Sequence, residues 1–386
     1  MTERSDWTAI FAAFFVGVAG AIQVGRVAPV APILQQDLTL DLTAIGWLVS
    51  LITLASAAFG LLAGYLVVRA GLRTSLVIGA LAMGVCAVFA ALVPSTPVLM
   101  GARVIEGLGY LMVVVAAPTL IAREATENDA PFALALWGTF FTLGLSIAAF
   151  AGGALSEAIG WHGWFMVSAG LVGVAALGGW LSIPEDQIRP PEQVATQEIV
   201  LTLPRASWVL GAAFLGLTLL ALSILSLLPT FLVQEHGFTP GASGRVTGSV
   251  ALASILGSLA YGALANRVSD QVIVTSAAII LIPSVFLAFA AAAEPVQVVT
   301  FAAIAVFASG ILVAQTFAAV PRIANGPHLI GPTNGLVAQL GSVGALTGPP
   351  MIGALITMTG WSAVPFVVSV FSLSFAGLFL LALRSR

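Results

Sequence analysis

The chain has 386 residues, of which 59% are hydrophobic and 8% charged, with a net charge of −3. A water-soluble domain carries about 25% charged residues, so this chain cannot cover itself with a polar surface, and a soluble fold is excluded. Its apolar residues fall in runs long enough to cross a hydrocarbon core, which takes ~20 residues per helix, and too long for the alternating pattern of a membrane barrel.

Twelve such runs follow in chain order: 7–35, 44–68, 74–93, 97–121, 132–157, 163–183, 206–233, 243–266, 271–293, 295–320, 331–358 and 361–383. The first is longer than the ~7–15-residue core of a signal peptide and eleven more follow it, so it reads as a retained helix. "REATEND" (123–129) and "PEDQIRPPEQVATQE" (184–198) read as solvated loops. The one long polar stretch carries Pro184, Pro190, Pro191 and Pro204 and reads as a linker. The expected organisation is a six-helix half at 1–183, a cytoplasmic linker at 184–205 and a second six-helix half at 206–386.

All thirteen basic residues are arginine. With a cytoplasmic N-terminus, Arg4, Arg69, Arg73, Arg123, Arg189, Arg205, Arg267, Arg322, Arg384 and Arg386 fall at the inner face, and Arg245 alone falls outside. This positive-inside bias puts both termini in the cytoplasm, as an even helix count requires.

The two halves repeat. "GLSIAAFAGGALSEAIGW" (144–161) aligns without gaps on "GALTGPPMIGALITMTGW" (344–361), matching Gly144, Gly153, Ala154, Leu155, Gly160 and Trp161 to Gly344, Gly353, Ala354, Leu355, Gly360 and Trp361. "GYLVVRAG" (64–71) likewise meets "GALANRVS" (262–269) at Gly64/Gly262, Leu66/Leu264 and Arg69/Arg267. Copying six helices preserves orientation, so the repeat is parallel, and a site is expected between the copies near the bilayer midplane.

On these motifs the chain resembles the major facilitator superfamily of secondary transporters over essentially its whole length. The family's loop between helices 2 and 3 is matched by Gly64, Leu66, Arg69, Gly71 and Arg73, with a departure at Val68, where the family has an acid that helps latch the halves; Asn266 is the more usual residue in the second copy. The helix-4 motif is similar to Arg103, Glu106, Gly107 and Gly109, with Glu106 for the commoner glutamine. Helix 5 has Ala148-Ala149 where drug antiporters have a Gly-Pro pair, which appears instead as Gly348-Pro349 in helix 11. "GRVAPVAPILQQDLTLDLTAIGWLVSL" (25–51), "VVVAAPTLIA" (113–122) and "LWGTF" (136–140) resemble the cyanate and nitroimidazole permeases, and the first also the organic anion–cation symporters. The resemblance implies an all-α membrane protein of twelve transmembrane helices in two pseudo-symmetric halves. It also implies gating at the inner loops by Gly64, Arg69, Gly71, Arg73 and Arg267.

Charges inside a membrane span cost at least ~2.5–3.5 kcal/mol and need a partner or a wet cavity. Three occur: Arg26, Arg103 and Glu106. At 1.5 Å per residue, Arg103 lies ~9 Å and Glu106 ~14 Å from the outer end of helix 4, and Arg26 ~14 Å from that of helix 1. The family resemblance places helices 1 and 4 around a central cavity, where the three are expected to meet and face water. Arg26, with Gln23 one turn back, offers a donor fork suited to anions. Arg103 shares binding or pairs with Glu106 on one helix face; Glu106 is the candidate proton carrier. The polar candidates of the second half are Gln315, Asn334 and Gln339, with helix–helix hydrogen bonding as their other reading.

Two cations against one acid favour a small organic or pseudohalide anion, moved by alternating access with proton coupling; the other reading is a proton-driven drug or metabolite exporter. Expected partners are the small-molecule substrate, protons and the lipid bilayer, with no nucleic acid, in a monomer of the bacterial inner membrane. His162, His236 and His328 are scattered, Cys86 reads as a small buried hydrophobe, and no catalytic or phosphate-binding motif occurs. No metal, cofactor or enzymatic activity is therefore expected.

Overall fold

The computed structural model describes residues 4–126, 128–186, 203–265, 267–290, 293–324 and 326–384. Most of the linker (187–202, with Arg189, Pro190 and Pro191), together with Asn266 and Arg386, lies outside the described residues. Among those described, eleven helical stretches are long and apolar enough to cross a membrane.

One of them holds two spans. Phe140–Ser182 is 43 residues long, and a straight helix of that length would run ~65 Å, about twice the ~30 Å hydrocarbon core. It turns at Gly160, where φ is 73° and ψ 167°, a region open essentially to glycine. Its repeat partner Gly360 does the same work between spans 11 and 12, with φ 80° and ψ 176°. The chain is thus a multi-pass integral membrane protein of twelve spans, as the hydropathy runs predict.

Span 1 runs Trp7–Asp37 and span 3 Leu72–Leu92. Span 2 comprises Leu42–Ser50 and Leu54–Ala70, and span 4 is Thr96–Glu124. Spans 5 and 6 share Phe140–Ser182; spans 7 to 12 are Arg205–His236, Pro240–Leu264, Asp270–Ala288, Pro295–Ile323, Pro327–Thr359 and Val364–Arg384. The face from which span 1 starts is called terminal below, and the opposite face distal.

Spans 1 and 2 are interrupted. The first helix of span 1 stops at Gly25, because Pro29 has no N–H for the Gly25 carbonyl and its ring crowds that oxygen. A tight turn over Ala28–Val30 leads into Ala31–Asp37. Span 2 breaks at the Leu51–Thr53 turn, where the Thr53 hydroxyl donates to the Ser50 carbonyl at 2.7 Å.

Spans 1–6 and spans 7–12 meet at close backbone crossings, where small residues let helices approach in the absence of a hydrophobic drive. Cβ atoms added at Gly46 and Gly244 would strike Pro349 and Ala149, and those added at Gly353 and Gly153 would strike Leu42 and the Pro240–Gly241 backbone. These are the same contacts made twice, once between spans 2 and 11 and once between spans 5 and 8, and they close the distal face. Polar bonds reinforce them: Glu157 accepts from the Gly241 amide at 2.7 Å, and Gln234 donates to Gln35 at 3.2 Å. Gly153→Ala is expected to cost about 1–3 kcal/mol by overpacking and to loosen this closure. A cysteine placed at Ala28 would then react several-fold faster with a thiol reagent added from the distal side; an unchanged rate would show that the crossing does not seal it.

Candidate functional site

The two interruptions lie side by side and expose carbonyls that no longer have helical partners. In water such groups would be hydrated; in a bilayer the protein itself must supply donors. Arg103 of span 4 does so. Its Nε donates to the Leu48 carbonyl at 2.7 Å, Nη1 to that of Gln23 at 2.7 Å, and Nη2 to those of Val24 and Val49 at 3.1 and 3.3 Å. The fifth donor goes to Glu106 Oε2 at 2.8 Å. A guanidinium has five N–H groups, so every one is taken. The Arg26 carbonyl, within the same break, accepts from Trp164 Nε1 of span 6 at 3.0 Å.

Glu106 is shared. Its Oε1 accepts from Arg26 Nη2 at 2.6 Å while Oε2 holds Arg103. Arg26 also donates to Gln23 Oε1, and Gln23 Nε2 donates to the Ser168 carbonyl at 2.8 Å. The Arg26 guanidinium lies over the Phe165 ring, 4.4 Å from its centre, a cation–π contact strengthened by the lack of water. Its Nε is buried without a hydrogen-bond partner. Gln23, Arg26, Arg103 and Glu106 are each at most 1% exposed. The cluster holds two guanidiniums against one carboxylate, an excess of one positive charge in an apolar interior.

The structure therefore brings together Gln23 and Arg26 of span 1 with Arg103 and Glu106 of span 4, but corrects their setting. They do not face a wet cavity. They are enclosed by spans 1, 2, 4 and 6, and the small cavity that reaches span 1 at Val24, Gly25 and Ala28 is lined by none of the four. Arg103 has no donor left for a solute.

The second-half candidates do not join the cluster. Gln315 is buried and donates to the Asp270 carbonyl at 2.9 Å, beside the Asp270–Arg322 ion pair at the terminal end of spans 9 and 10. Gln339 crosses to span 2, accepting from the Leu61 amide and donating to the Ala57 carbonyl, both at 3.0 Å. Asn334 is half-buried, and its Oδ1 has no partner.

The inner-loop motif carries a second correction. Residues 184–198 read as solvated from sequence, yet Asp186 is bound. It accepts from the amides of Arg73 and Thr74 at 3.0 and 2.9 Å and from the Thr74 hydroxyl at 2.9 Å. It thus caps the N-terminus of span 3, where orphan amides and the helix dipole both favour a carboxylate. Gly71, with φ 97°, leaves the room; a side chain there would strike Asp186. Arg73 lies over Trp180, 4.2 Å from the ring centre, and donates to the Trp180 carbonyl at 2.5 Å. Gly64 and Arg69 belong to the last turns of span 2, while Arg267 is exposed just beyond span 8. Of residues 123–129, Arg123 and Glu124 form the last turn of span 4, where Glu124 is buried and paired with Arg123, and Asp129 accepts from Ser5 at 2.5 Å; these acids are likewise not simply solvated.

Sequence reasoning missed the helix breaks and their carbonyls. For span 1 the signal was Pro29. For span 2 no proline or glycine marks the break, and only the fold reveals it. Phe165, Ser168 and Asp186 carried no local signal, because their partners are more than 100 positions away. Removing one partner of a buried ion pair costs about 3–5 kcal/mol, so Arg103→Ala is expected to lower stability by at least that. Arg103→Lys, with three donors on one nitrogen, should lose most of the same amount, and Arg26→Ala less. Thermal unfolding in detergent checks the order; a parental melting temperature for Arg103→Lys would contradict the assignment.

The model of the Major Facilitator Superfamily matches residues 9–337. The 2-nitroimidazole transporter of Escherichia coli strain K12 is 26% identical over 363 residues, covering 90% of this chain and 88% of that protein. The cyanate transport protein CynX of the same strain is 25% identical over 246 residues, covering 62% and 60%. The multidrug efflux pump LfrA of Mycolicibacterium smegmatis is 29% identical over 202 residues, 52% of this chain, which spans only 40% of LfrA. The solved structure of a bacterial homologue of the human lysosomal transporter Spinster, inward-facing and occupied, covers 100% of this chain and 98% of its own with a TM-score of 0.82. At 16% identity that likeness establishes the fold.

Proposed function

The chain belongs to the major facilitator superfamily, and on that premise we propose that it is a secondary transporter of a small anion, with proton movement coupled through Glu106. The solute passes along the seam between residues 1–183 and 206–386, which rock against each other as two bodies joined by the linker. One chain contains both sides of the seam, so the working unit is a monomer. The arginine bias sets the terminal face in the cytoplasm of a bacterial cell.

The observation that carries this reading is the enclosed cluster of two guanidiniums and one carboxylate, with Arg26 Nε unpaired. Glu106 and an incoming anion compete for the same guanidinium. A proton on Glu106 weakens its hold on Arg26 and leaves two cations without a counter-charge. An anion restores the balance, so proton and anion bind together, which is the logic of symport. Arg26 is the group that can change partners, because it sits in the span-1 break whose Gly25 and Ala28 line the seam. Arg103 cannot, since its donors hold backbone. Gln339 contributes as an inter-half bond that must break and re-form during rocking, and Gln23 as the rest position of the Arg26 fork.

The likeness to LfrA favours the second reading, a proton-driven exporter of drugs or metabolites, in which Glu106 exchanges protons against the solute. Uptake of labelled cyanate into liposomes carrying the purified protein separates the two. The anion reading expects uptake stimulated by an inward proton gradient, reduced at least tenfold in Arg26→Ala, and no longer gradient-dependent in Glu106→Gln. Export expects Arg26→Ala to be tolerated and Glu106→Gln to abolish efflux.

A further inference from the structure

A small cavity of about 20 Å3 lies between spans 1, 5, 7 and 8, large enough for one water. Gly25 and Ala28, at the break in span 1, form one side; Leu222 and Leu225 of span 7 form an apolar wall. Ser226 of span 7 and Thr247 of span 8 line it as well, each 3% exposed. They are the polar side chains of its lining, and neither belongs to the charged cluster.

Thr247 is the telling residue. A hydroxyl on a membrane helix usually bonds back to a carbonyl of its own preceding turn. Its neighbour Ser249 does so to Arg245 at 3.0 Å, and Thr316 and Thr347 do so to Leu312 and Val343 at 2.8 and 2.9 Å. Thr247 Oγ1 has no partner; Ser50, Ser56, Ser146, Thr230 and Ser372 are also buried and unbonded, but of these hydroxyls Thr247 is the one that lines this cavity. A buried hydroxyl left unbonded toward a cavity is a donor held for something that enters it.

We propose that this cavity is the closed form of the solute seat and that Ser226 and Thr247 select the solute. The two hydroxyls donate to a single acceptor group at one end of it, while the leucines accept only an apolar or very thin remainder. The class is a compact solute with one acceptor end, such as a linear or planar anion or a nitro compound. A polyhydroxylated solute is rejected, because hydroxyls pressed against Leu222 and Leu225 would be desolvated without partners. This deepens the transporter reading and rests on it, but not on the charge of the solute.

The test uses the full chain in liposomes with Cys86→Ala and Ser226→Cys, labelled by a small methanethiosulfonate reagent. Nitrate and nitrite at neutral pH are expected to slow labelling at least threefold, and arabinose to leave it unchanged. Adding Thr247→Val should raise the half-protecting nitrate concentration at least fivefold. Thr247→Cys with Ser226 intact gives the same readout if the first variant does not fold. Equal protection by arabinose, protection by no solute, or no labelling at either position would overturn the proposal. Protection by neutral nitromethane but not by either anion would uphold the seat while removing the anion reading.

Discussion

A guanidinium that spends all five donors inside a membrane fixes the arrangement around it. Arg103 satisfies four backbone carbonyls from two interrupted helices and one carboxylate on its own helix. Without it, the breaks in spans 1 and 2 would leave acceptors bare in a medium that has no water to offer. The breaks and the arginine are therefore one unit. Because Arg103 is immobilised by backbone and Glu106 is held by Arg103, the freedom of the cluster is concentrated on Arg26. Its bonds are to side chains alone, and one of its nitrogens has none.

That asymmetry separates an arginine tied to backbone from one bonded to side chains alone. It also relates the buried charge to the seam. The cluster lies within spans 1, 2, 4 and 6, yet the interrupted backbone of span 1 belongs both to it and to the cavity between the halves. In the proposed coupling, a change in charge state need travel only from the Arg26 side chain to its own main chain to reach the seam. The glycine crossings at Gly46, Gly153, Gly244 and Gly353 give the seam its fit, since packed interfaces of this kind shift between discrete arrangements rather than deform gradually.

The terminal face has a comparable economy. The family's acid in the loop between helices 2 and 3 is replaced by Val68, but a carboxylate still reaches that loop, supplied by Asp186 after span 6. The capping requirement of the span-3 N-terminus is met from elsewhere in the chain, and the start of the linker is thereby tied to the first six spans.

The sequence by itself determined what depends on local composition and spacing. Twelve apolar runs and the repeat, with Gly160 matched to Gly360, are legible because span length and hydropathy act within a few residues. Depth arithmetic set Arg26, Arg103 and Glu106 at one level, since helical rise is constant. The tertiary structure alone decided which way the charged side chains turn. It buried them among spans 1, 2, 4 and 6 instead of in a wet cavity, because the carbonyls of Gln23, Val24, Leu48 and Val49 at the two breaks need donors that a bilayer does not supply, and Arg103 provides them. It also sent Gln315 to Asp270, Gln339 across to span 2 and Asp186 to span 3, and left Thr247 unbonded. Each of these outcomes joins residues far apart in the chain, and no periodicity or motif within a window records such a partnership.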